Sequence, residues 1–257
     1  MSNHKKYEKF LNKIVSKYNN EKFIISDPIE FPYHYQNGID IEIVAYISAM
    51  FSYGNVPSIK KFLNSIFFLM GVSPVHFLIN EDLTVLKEKN LYYRFQNSDD
   101  IYYFLKCISV LLKNNSSLEP YFGDSNLEIN FRISHFQKVF QQILHNQSCA
   151  MTPGLKFLIG TGNPKSANKR YFMFLRWMVR NSFPDFGIYK TFRKQDLKYP
   201  LDVHILNFSK KFGINTKKSI NYKLTCEITD FFRELSPFDP LIYDFPLSRL
   251  GILKQSR

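Results

Sequence analysis

Apolar residues recur at helical spacing along almost the whole chain, and no stretch alternates in the manner of a β-hairpin. Phe10, Ile14 and Tyr18 stand at i, i+4 and i+8, which predicts a first helix over Lys5 to Tyr18. Ile39 to Tyr53 is apolar on nearly all sides and reads as a central buried helix. The run Gly54-Asn55-Val56-Pro57 breaks it, and Ser58 is placed to cap a further helix to about Leu69. Asp99 to Leu112 and Ile129 to Leu144 are two more amphipathic segments. Loops fall at Asp27–Pro32, Asn114–Ser117 and Gly123–Asn126. The pattern predicts an all-α fold of about ten helices. Residues 1–257 then form a single unit of two interleaved helical lobes flanking a cleft, with no internal repeat.

Charge narrows the partner. The 257 residues include 34 Lys and Arg against 22 Asp and Glu, a net charge of +12. That excess favours a polyanion: DNA, RNA or an anionic membrane surface. A hydrophobic content of 45% excludes a disordered basic tail, which could not bury enough apolar surface to offset chain entropy. Cys107, Cys149 and Cys226 are far apart and odd in number, which argues against a disulfide framework or a four-cysteine metal site. His34, His76, His135 and His145 lack the spacing of a zinc motif, so neither a metal nor an organic cofactor is expected. The opening MSNHKKYEKF has no apolar signal core, and no run approaches the roughly 20 apolar residues that span a bilayer. The expectation is a cytoplasmic chain with no membrane partner.

The informative stretch is 158–213. LIGTGNPKSANKRYFMFLRWMVR opens with a glycine turn and continues into a strongly apolar helix, for which Ser166 is the expected N-cap. Lys169, Arg176 and Arg180 share one face of it, with Tyr171, Phe174, Trp177 and Met178 around them. A lysine in the first turn meets the positive end of the helix dipole, a position suited to a lysine that acts as a free amine and equally open to a solvated phosphate contact. In KYPLDVHILNFSKKFG, Pro200 fixes the entry and Asp202 sits where an N-cap belongs. A helical stripe then runs through Ile205, Phe208 and Phe212 to Gly213. Asp202 is therefore either a cap alone or a carboxylate held rigidly at a helix start.

A glycine hairpin leading to a helix with a lysine, followed by Pro-Leu-Asp-Val-His opening another helix, resembles the helix-hairpin-helix, Gly/Pro–Asp superfamily of DNA glycosylases. The long separation of Lys169 from Asp202 is similar to the archaeal-type 8-oxoguanine (GO) DNA glycosylase branch, AGOG. Met50-Phe51-Ser52-Tyr53 and Tyr243-Asp244-Phe245-Pro246-Leu247 look like two further blocks of that branch. The chain is also similar over most of its length to an uncharacterised bacterial family with the motif KRxxMFLRWMVR. Where the archaeal branch has a tryptophan four positions after the aspartate, this chain has Ser248.

The resemblance implies a helix-hairpin-helix and catalytic region at about 155–213, in a monomeric, nucleoid-associated repair enzyme. Its implied partner is double-stranded DNA holding an oxidised purine, 8-oxoguanine first. Lys169 would attack the sugar, with Lys165 as its rival, and Asp202 would assist. Asp244, Ser52, Gln36, Phe172, Met173, Phe245 and Ser248 would contact the extruded base. Lys165, Arg170, Arg176, Arg180 and Lys210 would hold backbone phosphates. Two alternatives stand beside it: the same scaffold acting on another damaged base, and a non-catalytic nucleic-acid-binding module.

Overall fold

The computed structural model describes residues 3–214 and 219–255. Among them are twelve α-helices, six short 3-10 turns and no β-strand, so the fold is all-α as the periodicity predicts. By compactness the chain divides into two units. The first joins residues 1–27 to 165–257, and the second is the continuous stretch 28–164.

The second unit is built around the helix that the sequence marks as buried. This is α2 (Gly38–Met50), whose residues from Ile43 onward are all shielded from solvent. Tyr46 of α2 packs against Phe104, Phe136 and Phe140 at ring distances of 5.6–5.9 Å. Burying that helix also buries two of its acids, and both are given donors, as buried carboxylates require. Asp40 accepts from the Val75 N–H at 2.9 Å, and Glu42 accepts from the Ser117 hydroxyl and the Leu118 N–H, each at 2.9 Å.

The other helices of this unit are α3 (Val56–Met70), α4 (Pro74–Asn80), α5 (Val85–Glu88), α6 (Ser98–Asn114), α7 (Ile129–Asn146) and α8 (Pro153–Ile159). In α3 the cap is Asn55, not Ser58: the Asn55 side chain accepts from the Ser58 N–H at 2.9 Å. The helix therefore begins ahead of Pro57, which fits a first turn because no N–H is needed there. No single helix among the described residues is long and apolar enough to cross a membrane; α3 and α4 reach that length only as a pair bent by 60°.

One face of α7 pins the glycine turn that follows α8. Gln141 donates to the Gly160 carbonyl at 3.1 Å, and Asn130 donates to the Pro164 carbonyl at 3.1 Å. Ser134 donates to the Gly162 carbonyl, while the Gly162 N–H donates to Gln137 at 2.9 Å. Gly160 has φ +97°, and the Gln137 side chain fills the space a Cβ would need, so only glycine fits.

The first unit comprises α1 (Asn3–Tyr18), α9 (Lys169–Val179), α10 (Val203–Lys211), α11 (Tyr222–Leu235) and α12 (Asp244–Gln255). Both α1 and α10 pack on α12. Tyr7 meets Phe212 and Phe231 at 4.9 and 5.9 Å, and Tyr199 stacks on Phe232 at 4.3 Å. The helix-hairpin-helix segment expected at 155–213 is thus shared between units, with α8 in one, α9 in the other and the boundary between Pro164 and Lys165.

Candidate functional site

Lys169 and Asp202 fall in the same unit, each at a helix start. Lys169 is the first residue of α9 and half-buried. The cap of α9 is Asn168 in the left-handed region at φ 42°, not Ser166; it makes no side-chain cap bond, and no acid occupies the first turn. The starts of α5 at Thr84 and α7 at Glu128 likewise make no such bond, whereas seven other helices are capped. Asn37, Asn55, Ser73, Asn97, Thr152, Asp202 and Asn221 each accept a backbone N–H at the head of their helices. Asp202 is half-buried and takes the Ile205 N–H at 2.8 Å through Oδ1.

A buried network of ion pairs joins the end of α9 to the start of α12. Arg176 stands two turns beyond Lys169 on one face of α9, about 10 Å along the helix axis. Its Nη1 donates to Asp244 Oδ2 at 2.5 Å and its Nε to Asp185 Oδ1 at 3.1 Å. Arg180 donates to the other oxygen of Asp185. It also grips Asp239 with two bonds of 2.8 and 2.9 Å and reaches the Ser182 hydroxyl at 3.0 Å. Arg176 and Arg180 are only 4% and 2% exposed, so both are removed from the set of phosphate contacts that the sequence suggested. The reason is the helix itself: α9 is apolar nearly all round, so its charges go into the core and require carboxylates there.

Asp244, the first residue of α12, is 2% exposed. With one oxygen on Arg176 and both oxygens inside the core, it is a core ion-pair partner and not an open base-reading group. Burial lifts its carboxyl to about 6 against the pull of Arg176, with repulsion from nearby Asp202 and from Asp185 adding to the rise. A carboxyl raised above its unfolded value of about 4 holds more protons folded than unfolded between those limits. Its contribution to stability is therefore present at the acid end and falls as pH rises from about 4 to about 6. The expected fall is about 3 kcal/mol. Comparison of urea midpoints across pH 4–7 should show it in the wild type and not in Asp244→Asn; parallel curves would contradict it.

The remaining residues named from the sequence sort by unit. Phe172 and Phe245 are 0% and 2% exposed, packed against Tyr222 and Phe183 respectively, so both are core rings and not open stacking faces. Met173 and Ser248 are half-buried in the first unit, as is Arg170; Lys165 and Lys210 are exposed there. Ser52 and Gln36 belong to the second unit. Ser52 is buried just past the end of α2 and donates back to the Ser48 carbonyl at 2.6 Å, whereas Gln36 is an exposed loop residue. Sequence reasoning missed Asp185 and Asp239. Their signal was indirect: two arginines on a helix that is otherwise core demand partners somewhere in the chain.

Charge is divided very unequally. The first unit holds 24 Lys and Arg against 11 Asp and Glu, and the second holds 10 against 11. The whole positive excess therefore belongs to the unit that carries Lys169 and Asp202. Its core takes in Arg176, Arg180 and Arg249 with Asp27, Asp185, Asp239 and Asp244, so the part facing water is more basic still. Among the described residues no group of three or more His, Cys, Asp or Glu side chains is placed to hold a metal ion.

No curated protein and no solved structure matches the chain. The family described as a protein of unknown function (DUF2400) matches it over residues 27–253, which takes in both units, and the chain belongs to that family.

Proposed function

We propose that the protein is a DNA N-glycosylase with DNA lyase activity, using Lys169 as nucleophile and Asp202 as its assisting carboxylate. One observation carries the reading: the unit that holds both residues at helix starts also holds all of the positive excess that a DNA backbone would engage. The damaged base leaves the helical stack, which costs a few kcal/mol and favours lesions that pair poorly. Lys169 Nζ forms a bond to the sugar C1′ as the bond from C1′ to the base breaks, and the base departs with the electron pair. Asp202 takes the proton released from Nζ and offsets positive charge on the sugar. Opening of the sugar ring gives a Schiff base at C1′. Loss of a C2′ proton then expels the 3′ phosphate and cuts the strand. The lesion we place first is 8-oxoguanine, in double-stranded DNA. With Asp244, Phe172 and Phe245 in the core, Met173, Ser248 and Arg170 are the half-buried residues left to meet the base.

Borohydride trapping tests this directly. Wild-type protein on a duplex with 8-oxoguanine, or with an abasic site, should give a covalent adduct. Lys169→Ala should lower its yield by at least about a thousandfold, as expected when a nucleophile is removed, while Lys165→Ala keeps it. An undiminished adduct with Lys169→Ala, or none with wild type on any lesion of a panel, would sink the proposal. The second outcome, with binding that falls steeply with salt and ignores lesions, would identify a non-catalytic DNA-binding protein instead.

A further inference from the structure

We propose that the second unit carries a stacking platform for unpaired nucleobases, formed by Phe95 and Phe157 over Tyr53 with Arg94 at its rim. This rests on the reading that DNA is the partner, but it concerns a surface other than that of Lys169 and Asp202. Phe95 is 57% exposed and Phe157 41%, unusual values for rings that touch one another. Phe95 lies parallel to Tyr53, at 5° and 6.1 Å between centroids. Phe157 meets both edge-on, at 4.8 Å from Tyr53 and 5.0 Å from Phe95.

The rings are held from beneath. Tyr53 donates its hydroxyl to the buried Gln96, and Gln96 donates to the Gly154 carbonyl at 3.0 Å. The Tyr93 hydroxyl donates to the Tyr53 carbonyl at 2.5 Å. A Cβ on Gly154 would come within 2.7 Å of the Phe95 carbonyl oxygen, so the start of α8 seats directly on the turn that presents Phe95. Arg94 stands in the left-handed region at φ 53°, where a residue with a Cβ is held only by its surroundings. Its carbonyl accepts from the Tyr92 hydroxyl at 2.5 Å, and its guanidinium lies 5.6 Å from the Phe95 ring centre.

Charge selects the occupant. Arg94 is exposed with its guanidinium against the Phe95 ring, and the exposed Lys156 precedes Phe157 in the chain. Of the nearby carboxylates, Asp99 pairs with Lys87 at 2.8 Å, and Asp100 is buried and accepts from the Asn97 N–H and the Thr152 hydroxyl. The second unit as a whole has no basic excess, so an exposed cation set against an exposed ring is a local feature and not a sample of a generally basic surface. Exposed rings with a cation beside them suit a base and its phosphate, since every base has a π-face to stack.

The test uses the full chain and a fluorescein-labelled oligothymidylate followed by anisotropy. Phe95→Ala and Phe157→Ala should each weaken binding at least about fivefold, with Phe95→Trp restoring it. A strand carrying 2-aminopurine should be quenched on binding to wild type and less so by either alanine variant. Equal affinities for wild type and both alanine variants, or a bound strand whose 2-aminopurine stays bright, overturn the platform. Trapping on an abasic duplex separates the two proposals. An intact adduct with no binding of oligothymidylate overturns the platform alone, whereas ring-dependent strand binding with no adduct supports the platform and overturns the lysine chemistry.

Discussion

Replacing Asp185 with alanine is expected to destabilise the protein by about 3–5 kcal/mol, the range for removing one partner of a buried ion pair. Two guanidiniums depend on this carboxylate, one on each oxygen, and both are almost wholly buried. Burial alone would pull Arg180 toward losing its proton; Asp185 and Asp239 reverse that and hold it above its ordinary value. Without Asp185, Arg176 keeps its bond to Asp244, and Arg180 keeps Asp239 and Ser182. Urea denaturation reads the effect as a lowered midpoint at constant slope. Asp230→Ala is the control, because its pair with Arg233 is largely exposed and such pairs contribute about 0–1 kcal/mol. A loss below about 1 kcal/mol for Asp185→Ala would show that water reaches the network or that the pair is dispensable.

Asp202→Asn should separate a cap from a catalyst. Asparagine caps about as well as aspartate, so the bond to the Ile205 N–H survives and stability should move by less than about 1 kcal/mol, the share due to lost charge at the helix start. The amide cannot take a proton from Lys169 or offset charge on the sugar. Single-turnover formation of the trapped adduct should therefore slow by about 10²–10⁴, the usual contribution of a positioned acid–base group. Asp202→Ala loses the cap as well and should cost about 1 kcal/mol in the same urea assay. Full-rate adduct formation with Asp202→Asn would reduce Asp202 to a cap and leave Lys169 without its carboxylate.

How much of this was legible depends on which force decided each element. Long amphipathic segments were readable because burial and periodicity agree: α6 and α7 begin within one residue of expectation, and α10 begins at its expected Asp202 cap. Helix starts went astray where several polar residues competed. At α9 a left-handed Asn168 displaced Ser166, and at α3 Asn55 displaced Ser58. The short helices α4 and α5 offer too few turns for a period to register. Within the site, spacing put Lys169, Arg176 and Arg180 on one face correctly, yet a face does not declare whether it looks at solvent or core. That was decided by Asp185, Asp239 and Asp244, which reach α9 from later in the chain and leave no periodic trace.

The broken connectivity of the first unit has an order in time. The second unit is complete once residue 164 has been made, and it can gather its own core as a segment during synthesis. The first cannot close until Arg249 has been made, because its guanidinium bonds Asp27 at 2.5 Å and the Ser26 hydroxyl at 3.0 Å, across more than two hundred residues of chain. On a growing polypeptide the residues of the nearly neutral unit are therefore all present before those of the basic unit that carries Lys169 and Asp202 are complete.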